Sequence, residues 1–172
     1  CGDEVDRYVP VSVERGWTSK RDFVGYYNPL SKTFDKSNRR VYEALHQLDT
    51  EKRNGVCKFP YILLLDEANL SPMEYYWSDF MNICDDLSSN SFINLGEGNL
   101  FTIPETLHFV ATINNDHTTE VLSPRLVDRA FIITLPSDFG GEFGSKFDWQ
   151  EIKCIGWNSL KEAFIPNEKD IV

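Results

Sequence analysis

Two adjacent carboxylates follow a continuous apolar run of the sequence. The run extends from Pro60 to Leu65, and Asp66 and Glu67 come directly after it. Such a run predicts a strand of a parallel sheet that is buried on both faces. Ligands of open α/β sheets bind at the carboxyl ends of the strands, where Asp66 can hold Mg²⁺ and Glu67 can polarise an attacking water in phosphoryl transfer. An ordinary solvated strand end explains the same pair equally well.

Polar residues also follow the next apolar strand. This strand, Phe109 to Ile113, ends at Asn114, and a short helix is predicted from Leu122 to Asp128. An amide such as that of Asn114 can orient the same water or contact a γ-phosphate, or it can simply cap the chain. Arg125 in the helix and Arg129 after it can reach a phosphate bound by a neighbouring subunit. The alternative for the arginines is a surface ion pair, which contributes little stability.

The elements that must position these residues alternate along the chain. Ser71 with Pro72 is typical of a helix start, with the serine as cap, and Gly96-Glu97-Gly98-Asn99 is typical of a hairpin turn. The alternation predicts an α/β fold, a three-layer αβα sandwich with a mainly parallel sheet plus a β-hairpin insertion. Strands are expected at Tyr8–Glu14, Pro60–Leu65, Phe92–Leu95, Leu100–Ile103, Leu107–Ile113 and Ala130–Leu135, and helices at about Thr18–Phe23, Asn38–Arg53, Ser71–Asp86, Leu122–Asp128 and Trp149–Phe164.

Composition excludes some classes of protein. The chain has 172 residues, 41% of them apolar, which predicts a real core. The formal net charge of −10 argues against a surface that coats DNA or RNA generally, and we interpret Arg39-Arg40 and Lys52-Arg53 as solvated helix surface. Four cysteines without zinc-site spacing favour the reducing cytoplasm. No apolar run reaches the ~20 residues of a membrane span.

Together and in this order, the motifs resemble an AAA+ domain of the dynein-related and McrB-like branch. The resemblance covers roughly residues 8 to 136 and is specific as a set rather than motif by motif. McrB-like proteins are the nucleotide-driven motors of methylation-dependent restriction systems. The phrases that carry the resemblance, with the hairpin before Asn114, are Asp66-Glu67, Ala111-Thr112-Ile113-Asn114, Leu122-Ser123-Pro124, Asp128-Arg129 and Asp22-Phe23-Val24-Gly25-Tyr26-Tyr27.

The resemblance implies a role for each candidate residue. Asp66 and Glu67 resemble the Walker B pair, Asn114 resembles the sensor-1 residue, and Arg129, with Arg125 one turn before it, resembles the arginine finger. Mg²⁺ with ATP or GTP would be the cofactors, in a homo-oligomeric ring without membrane attachment. A nuclease subunit would be the partner, and DNA would be contacted indirectly or by another domain.

One large departure limits these expectations. No G-x-x-x-x-G-K-[ST] phosphate loop occurs, and Gly140 to Lys146, the nearest string, has glycine and lysine in the wrong order. In the family that loop and the first strand precede the strand predicted at Tyr8, and the first strand lies between those ending at Asn114 and starting at Ala130.

We therefore expect a fragment of a motor whose isolated chain binds nucleotide weakly and is inactive. Residues 1–136 would form a partial AAA+ core and 137–172 an extension that starts the helical lid. The alternatives are a non-catalytic AAA+-like scaffold that has lost the phosphate loop, and an unrelated α/β binding domain.

Overall fold

A three-stranded parallel sheet is formed by strands that lie between residues 8 and 111. In it, β1 (Tyr8–Ser12) pairs with β4 (Tyr61–Asp66), and β4 pairs with β7 (Leu107–Ala111), so the strand order is β1-β4-β7. The predicted mixed α/β class is confirmed. The central strand ends at Asp66, so the paired carboxylates lie at the carboxyl edge of the sheet.

The structure, a computed structural model, describes residues 7 to 85 and 91 to 134. The chain divides into two compact units, one of residues 5–131 and one of residues 1–4 with 132–172. The predicted boundary after residue 136, the predicted helix at 149–164 and the Gly140 string lie outside the described residues. Within those that are described, no helix is long and apolar enough to cross a membrane.

Two helices begin close to their predicted positions, each after a residue whose side chain accepts a backbone N–H group. Helix α1 follows Ser19, whose side chain accepts the Asp22 backbone N–H in a capping box. Helix α2 follows Asn38, whose side chain accepts the N–H of Val41. The helices of the described residues are α1 (Lys20–Phe23), α2 (Arg39–Arg53), α3 (Met73–Tyr76), α4 (Ser78–Asp85) and α5 (Pro124–Val127).

Two antiparallel hairpins are inserted between the sheet strands. The predicted one is present as β5 (Phe92–Asn94) and β6 (Leu100–Thr102). The other, β2 (Tyr26–Asn28) with β3 (Thr33–Asp35), was not predicted from the sequence. It is entered through Gly25 at φ +140°, where an added Cβ would meet the carbonyl oxygen of Asp35 at 2.2 Å. Only glycine allows this approach.

The prediction of one continuous helix from Ser71 to Asp86 is wrong. A 3-10 turn (Ala68–Leu70) comes first, and the helical segment is split between α3 and α4 at Trp77. Ser71 does not cap a helix. Its Oγ accepts the backbone N–H of Trp17 and donates to the carbonyl of Glu14, which ties this turn to the chain that leaves β1.

The two faces of the sheet differ in burial. Val9, Leu63 and Phe109 share a row on the packed face, where Phe109 contacts the rings of Trp77 and Phe80. On the other face Tyr8, Ile62 and Val110 are 49%, 38% and 50% exposed. The prediction that the central strand is buried on both faces is therefore wrong for the described residues, because their helices pack on one face.

The prediction of a strand at Ala130 to Leu135 is also wrong for residues 130 to 134, the part that the structure describes. Residues 131 to 134 have no strand structure, and Phe131 is 93% exposed. A strand needs a hydrogen-bonded neighbour. Beside β7, the edge strand on that side, the described residues supply no such neighbour.

Candidate functional site

The backbone turns sharply between the two carboxylates. Glu67 adopts the left-handed conformation, with φ 53° and ψ 46°, which costs a non-glycine residue on the order of 1 kcal/mol. The next residue is fixed from two sides: Ala68 N donates to the carbonyl of Thr112 at 2.8 Å, and its own carbonyl accepts the buried hydroxyl of Tyr76 at 2.7 Å. The fold therefore holds Glu67 in a conformation that it would otherwise avoid.

A single threonine connects both carboxylate residues to the neighbouring strand. The Thr112 hydroxyl donates to Oδ1 of Asp66 at 2.7 Å and accepts the backbone N–H of Glu67 at 2.8 Å. The register explains the contact, because Leu65 pairs with Ala111 and each chain then advances by one residue. Our sequence reasoning missed Thr112, although the alignment of the two strand ends could have indicated it.

Asn114 completes the group at the same edge. Its Nδ2 donates to Oε1 of Glu67 at 3.2 Å. The structure thus brings together Asp66, Glu67 and Asn114, three residues from the ends of two neighbouring strands. All three are exposed, as a site that must admit a ligand requires.

A buried amide, Asn69, fixes the backbone of Asn114. Asn69 is 4% exposed. Its Oδ1 accepts the N–H of Asn114 at 3.1 Å, and its Nδ2 donates to the carbonyls of Asn114 and Glu120 at 2.7 and 3.0 Å. The carbonyl of Asn69 also accepts the N–H of Glu120. One side chain therefore clamps both ends of the loop from 114 to 120. Our sequence reasoning missed Asn69, which belongs to none of the motifs.

Replacing Asn69 with Ala is expected to destabilise the protein by about 2–4 kcal/mol, because buried partners lose their hydrogen bonds. Denaturant unfolding measures this change. Amide exchange should also accelerate at Asn114 and Glu120 more than at residues of the packed sheet. The matched control is Asn115→Ala, which alters an exposed asparagine of the same loop and should cost less than about 1 kcal/mol. Equal destabilisation by both variants would contradict the clamp.

Arg125 lies on α5, and Arg129 follows two residues after the end of that helix. Arg125 Nη2 donates to Oδ1 of Asn82 on α4 at 2.7 Å. Arg129 is exposed just after α5, and its Nη1 donates to the carbonyl of Arg125 at 2.7 Å. These contacts order the arginines without directing them to Asp66 or Glu67 of the same chain.

The loop at the rim of the site has its own hydrogen bonds. Thr118 donates to Asp116 through both its hydroxyl and its backbone N–H, and these bonds lower the pKa of that carboxyl below its ordinary value. Arg15 donates to the carbonyl of Thr118. Among residues 7–85 and 91–134, no group of three His, Cys, Asp or Glu side chains is arranged to hold a metal ion.

Comparison of the sequence with models of known protein families, and with curated proteins, finds no match.

Proposed function

We propose that this chain is part of an AAA+ nucleoside triphosphatase motor of the McrB-like kind, in which Asp66, Glu67 and Asn114 act on the γ-phosphate end of ATP or GTP. The observation that supports it most strongly is the hydrogen-bonded group that these residues form with Thr112. Glu67 polarises the attacking water. Asn114 holds the Glu67 carboxylate and orients the same water.

Asp66 suits Mg²⁺, the cofactor that this activity requires. Mg²⁺ prefers oxygen ligands and usually binds through one or two carboxylates together with phosphate oxygens and waters. Asp66 offers an exposed carboxylate whose Oδ1 is held by Thr112, and that donor set fits the ion. When bound, the ion neutralises charge on the phosphate oxygens.

The difference in burial between the two faces of the sheet also supports the proposal. The connections β1 to β4 and β4 to β7 step in the same direction across the sheet. Right-handed crossovers then place their helices on one face. A strand beside β7 that leads back to β1 would step in the opposite direction, so its helix would cover the exposed face that contains Tyr8, Ile62 and Val110. We propose that a longer protein supplies this strand, its helix and the phosphate loop between them, which would complete the three-layer sandwich.

The isolated chain is expected to bind nucleotide only weakly, because the phosphate loop supplies most contacts to the β- and γ-phosphates. Titration with fluorescent ATP and GTP in Mg²⁺ should show no saturation below about 1 mM, a binding free energy weaker than about −4 kcal/mol. The full-length protein under identical conditions is the control. Micromolar affinity in the isolated chain would contradict the proposal that the phosphate loop supplies most contacts to the nucleotide.

A non-catalytic AAA+-like scaffold is the second candidate, favoured by the absence of G-x-x-x-x-G-K-[ST] from these 172 residues. The coding sequence upstream of Cys1 distinguishes the two: a strand followed by that motif supports the motor, and its absence supports the scaffold. The ring assembly and the nuclease partner are part of the motor proposal and derive from the family resemblance. The proposed cytoplasmic location derives from the four cysteines without zinc-site spacing.

A further inference from the structure

The backbone of Thr112 is fixed from both sides by the chain around the end of β4. Its N–H donates to the carbonyl of Leu65 at 2.9 Å, and its carbonyl accepts the N–H of Ala68 at 2.8 Å. Threonine branches at Cβ, which restricts the rotation of its side chain. Because the backbone is held and the side chain is stiff, the hydroxyl of Thr112 has a defined position beside Asp66 and Glu67.

Only one arrangement of protons satisfies this hydroxyl. A threonine hydroxyl can donate one hydrogen bond and accept two. The backbone N–H of Glu67 is a donor, so the hydroxyl oxygen at 2.8 Å accepts from it. The ionised carboxylate of Asp66 can only accept, so it takes the hydroxyl proton, with 2.7 Å between the oxygens. Thr112 therefore donates to the side chain of one residue while it accepts from the backbone of the next.

The bond from Thr112 makes the two carboxylate oxygens of Asp66 different. Oδ1 accepts the hydroxyl proton, whereas Oδ2 accepts no hydrogen bond from residues 7–85 and 91–134. The bond also restrains rotation of the carboxylate. Mg²⁺ demands a near-ideal octahedral arrangement of its ligands, so a carboxylate that is held in one orientation favours the ion. A cation that approaches exposed Asp66 therefore meets Oδ2 with its lone pairs available.

We propose that Thr112 is a positioning residue that holds Asp66 so that Oδ2 faces Mg²⁺, directly or through a water. The same hydroxyl keeps the backbone of Glu67 in its left-handed conformation. This inference rests on the proposed nucleotide hydrolysis and adds a residue to it. Groups that hydrogen-bond a metal-binding carboxylate typically contribute about 10–100-fold in metal affinity or activity. Thr112 acts in this way without contacting the ion or the nucleotide.

Fluorescence titration of the full-length protein with nucleotide, at a series of Mg²⁺ concentrations, tests the proposal without relying on turnover. T112V keeps the branched shape and removes the hydroxyl. It should raise the Mg²⁺ concentration required for tight binding by about 10–100-fold and leave the affinity without Mg²⁺ unchanged. T112S should restore the Mg²⁺ requirement. The control T50V removes a hydroxyl that donates within α2 to the carbonyl of His46, and it should behave like the unmodified protein.

Two further measurements separate positioning from a general loss of structure. In a D66N background, T112V should change the Mg²⁺ requirement by less than about twofold, because the carboxylate through which Thr112 acts is gone. In the 172-residue chain, amide exchange at Glu67 should be faster in T112V than in T112S, whereas exchange at Leu63 in the centre of the sheet should be the same in both. Circular dichroism establishes that the variants are folded.

The outcomes distinguish this inference from the proposed function. A T112V protein with the Mg²⁺ requirement of the unmodified protein would overturn the role of Thr112 and leave the proposed hydrolysis intact. T112S as impaired as T112V would also overturn it, because the hydroxyl would then not be the group that matters. If the unmodified protein neither bound nor hydrolysed nucleotide, the proposed function would fail, and the role of Thr112 would fail with it.

Discussion

Replacing Glu67 with Gln in the full-length protein is expected to reduce nucleotide turnover by about 10²–10⁴-fold. Glutamine keeps the shape of the side chain and an oxygen that can accept from Asn114 Nδ2, as Oε1 of Glu67 does. It loses the negative charge that polarises water. Nucleotide affinity should stay unchanged, because in this proposal the phosphates are bound by other groups. Single-turnover hydrolysis and equilibrium titration separate the two effects.

The matched control is Glu105→Gln, which removes the same charge from an exposed residue before β7. Its turnover should equal that of the unmodified protein. If Glu67→Gln also turned over normally, the roles assigned to Asp66, Glu67 and Asn114 would be wrong.

Replacing Arg129 with Ala is expected to reduce turnover by about 10³–10⁵-fold, the effect typical of an arginine that acts in trans on a transferring phosphoryl group. Arg129 suits this role because it is exposed just after α5. Arg125→Ala should have a smaller effect, because Arg125 acts by attaching α5 to Asn82.

Mixing subunits gives the sharper test of the same residue. Rings of Glu67→Gln subunits and rings of Arg129→Ala subunits should both be inactive. Mixed rings should regain turnover, because some interfaces combine an intact Glu67 with an intact Arg129 from the neighbour. An inactive mixture would show that Arg129 does not act across a subunit interface.

The candidate site could be predicted from the sequence only in part. Parallel strands share a carboxyl edge, so the strand-end positions of Asp66 and Asn114 were enough to expect them to lie close together. Thr112 could have been found only by also aligning the two strands residue by residue, and Asn69 could not be found from the strand ends at all. Their contacts depend on the register between β4 and β7 and on the path of the loop from 114 to 120.

The fold was predictable where local signals control it. Helices α1 and α2 form close to their predicted bounds, because a side-chain oxygen of the preceding Ser19 or Asn38 satisfies the first backbone N–H groups wherever the helix packs. The burial of a strand depends on which elements cover the two faces of its sheet. The apolar run of the central strand predicted two covered faces, but Ile62 is 38% exposed because the described helices cover only the opposite face.

The same dependence explains the strand predicted from Ala130. Its sequence favours a strand, but a ladder requires a neighbour, and the described residues supply none beside β7 on that side. A sequence pattern states which conformation a segment prefers, and the partners decide whether that conformation forms.

Phosphate release by the full-length protein, supplied with Mg²⁺ and either ATP or GTP, tests most directly whether Asp66, Glu67 and Asn114 form a hydrolysis site. Our proposal predicts steady turnover with at least one of the two nucleotides, and its loss when Mg²⁺ is removed with a chelator. An absence of release with both nucleotides, from folded and assembled protein, would contradict it.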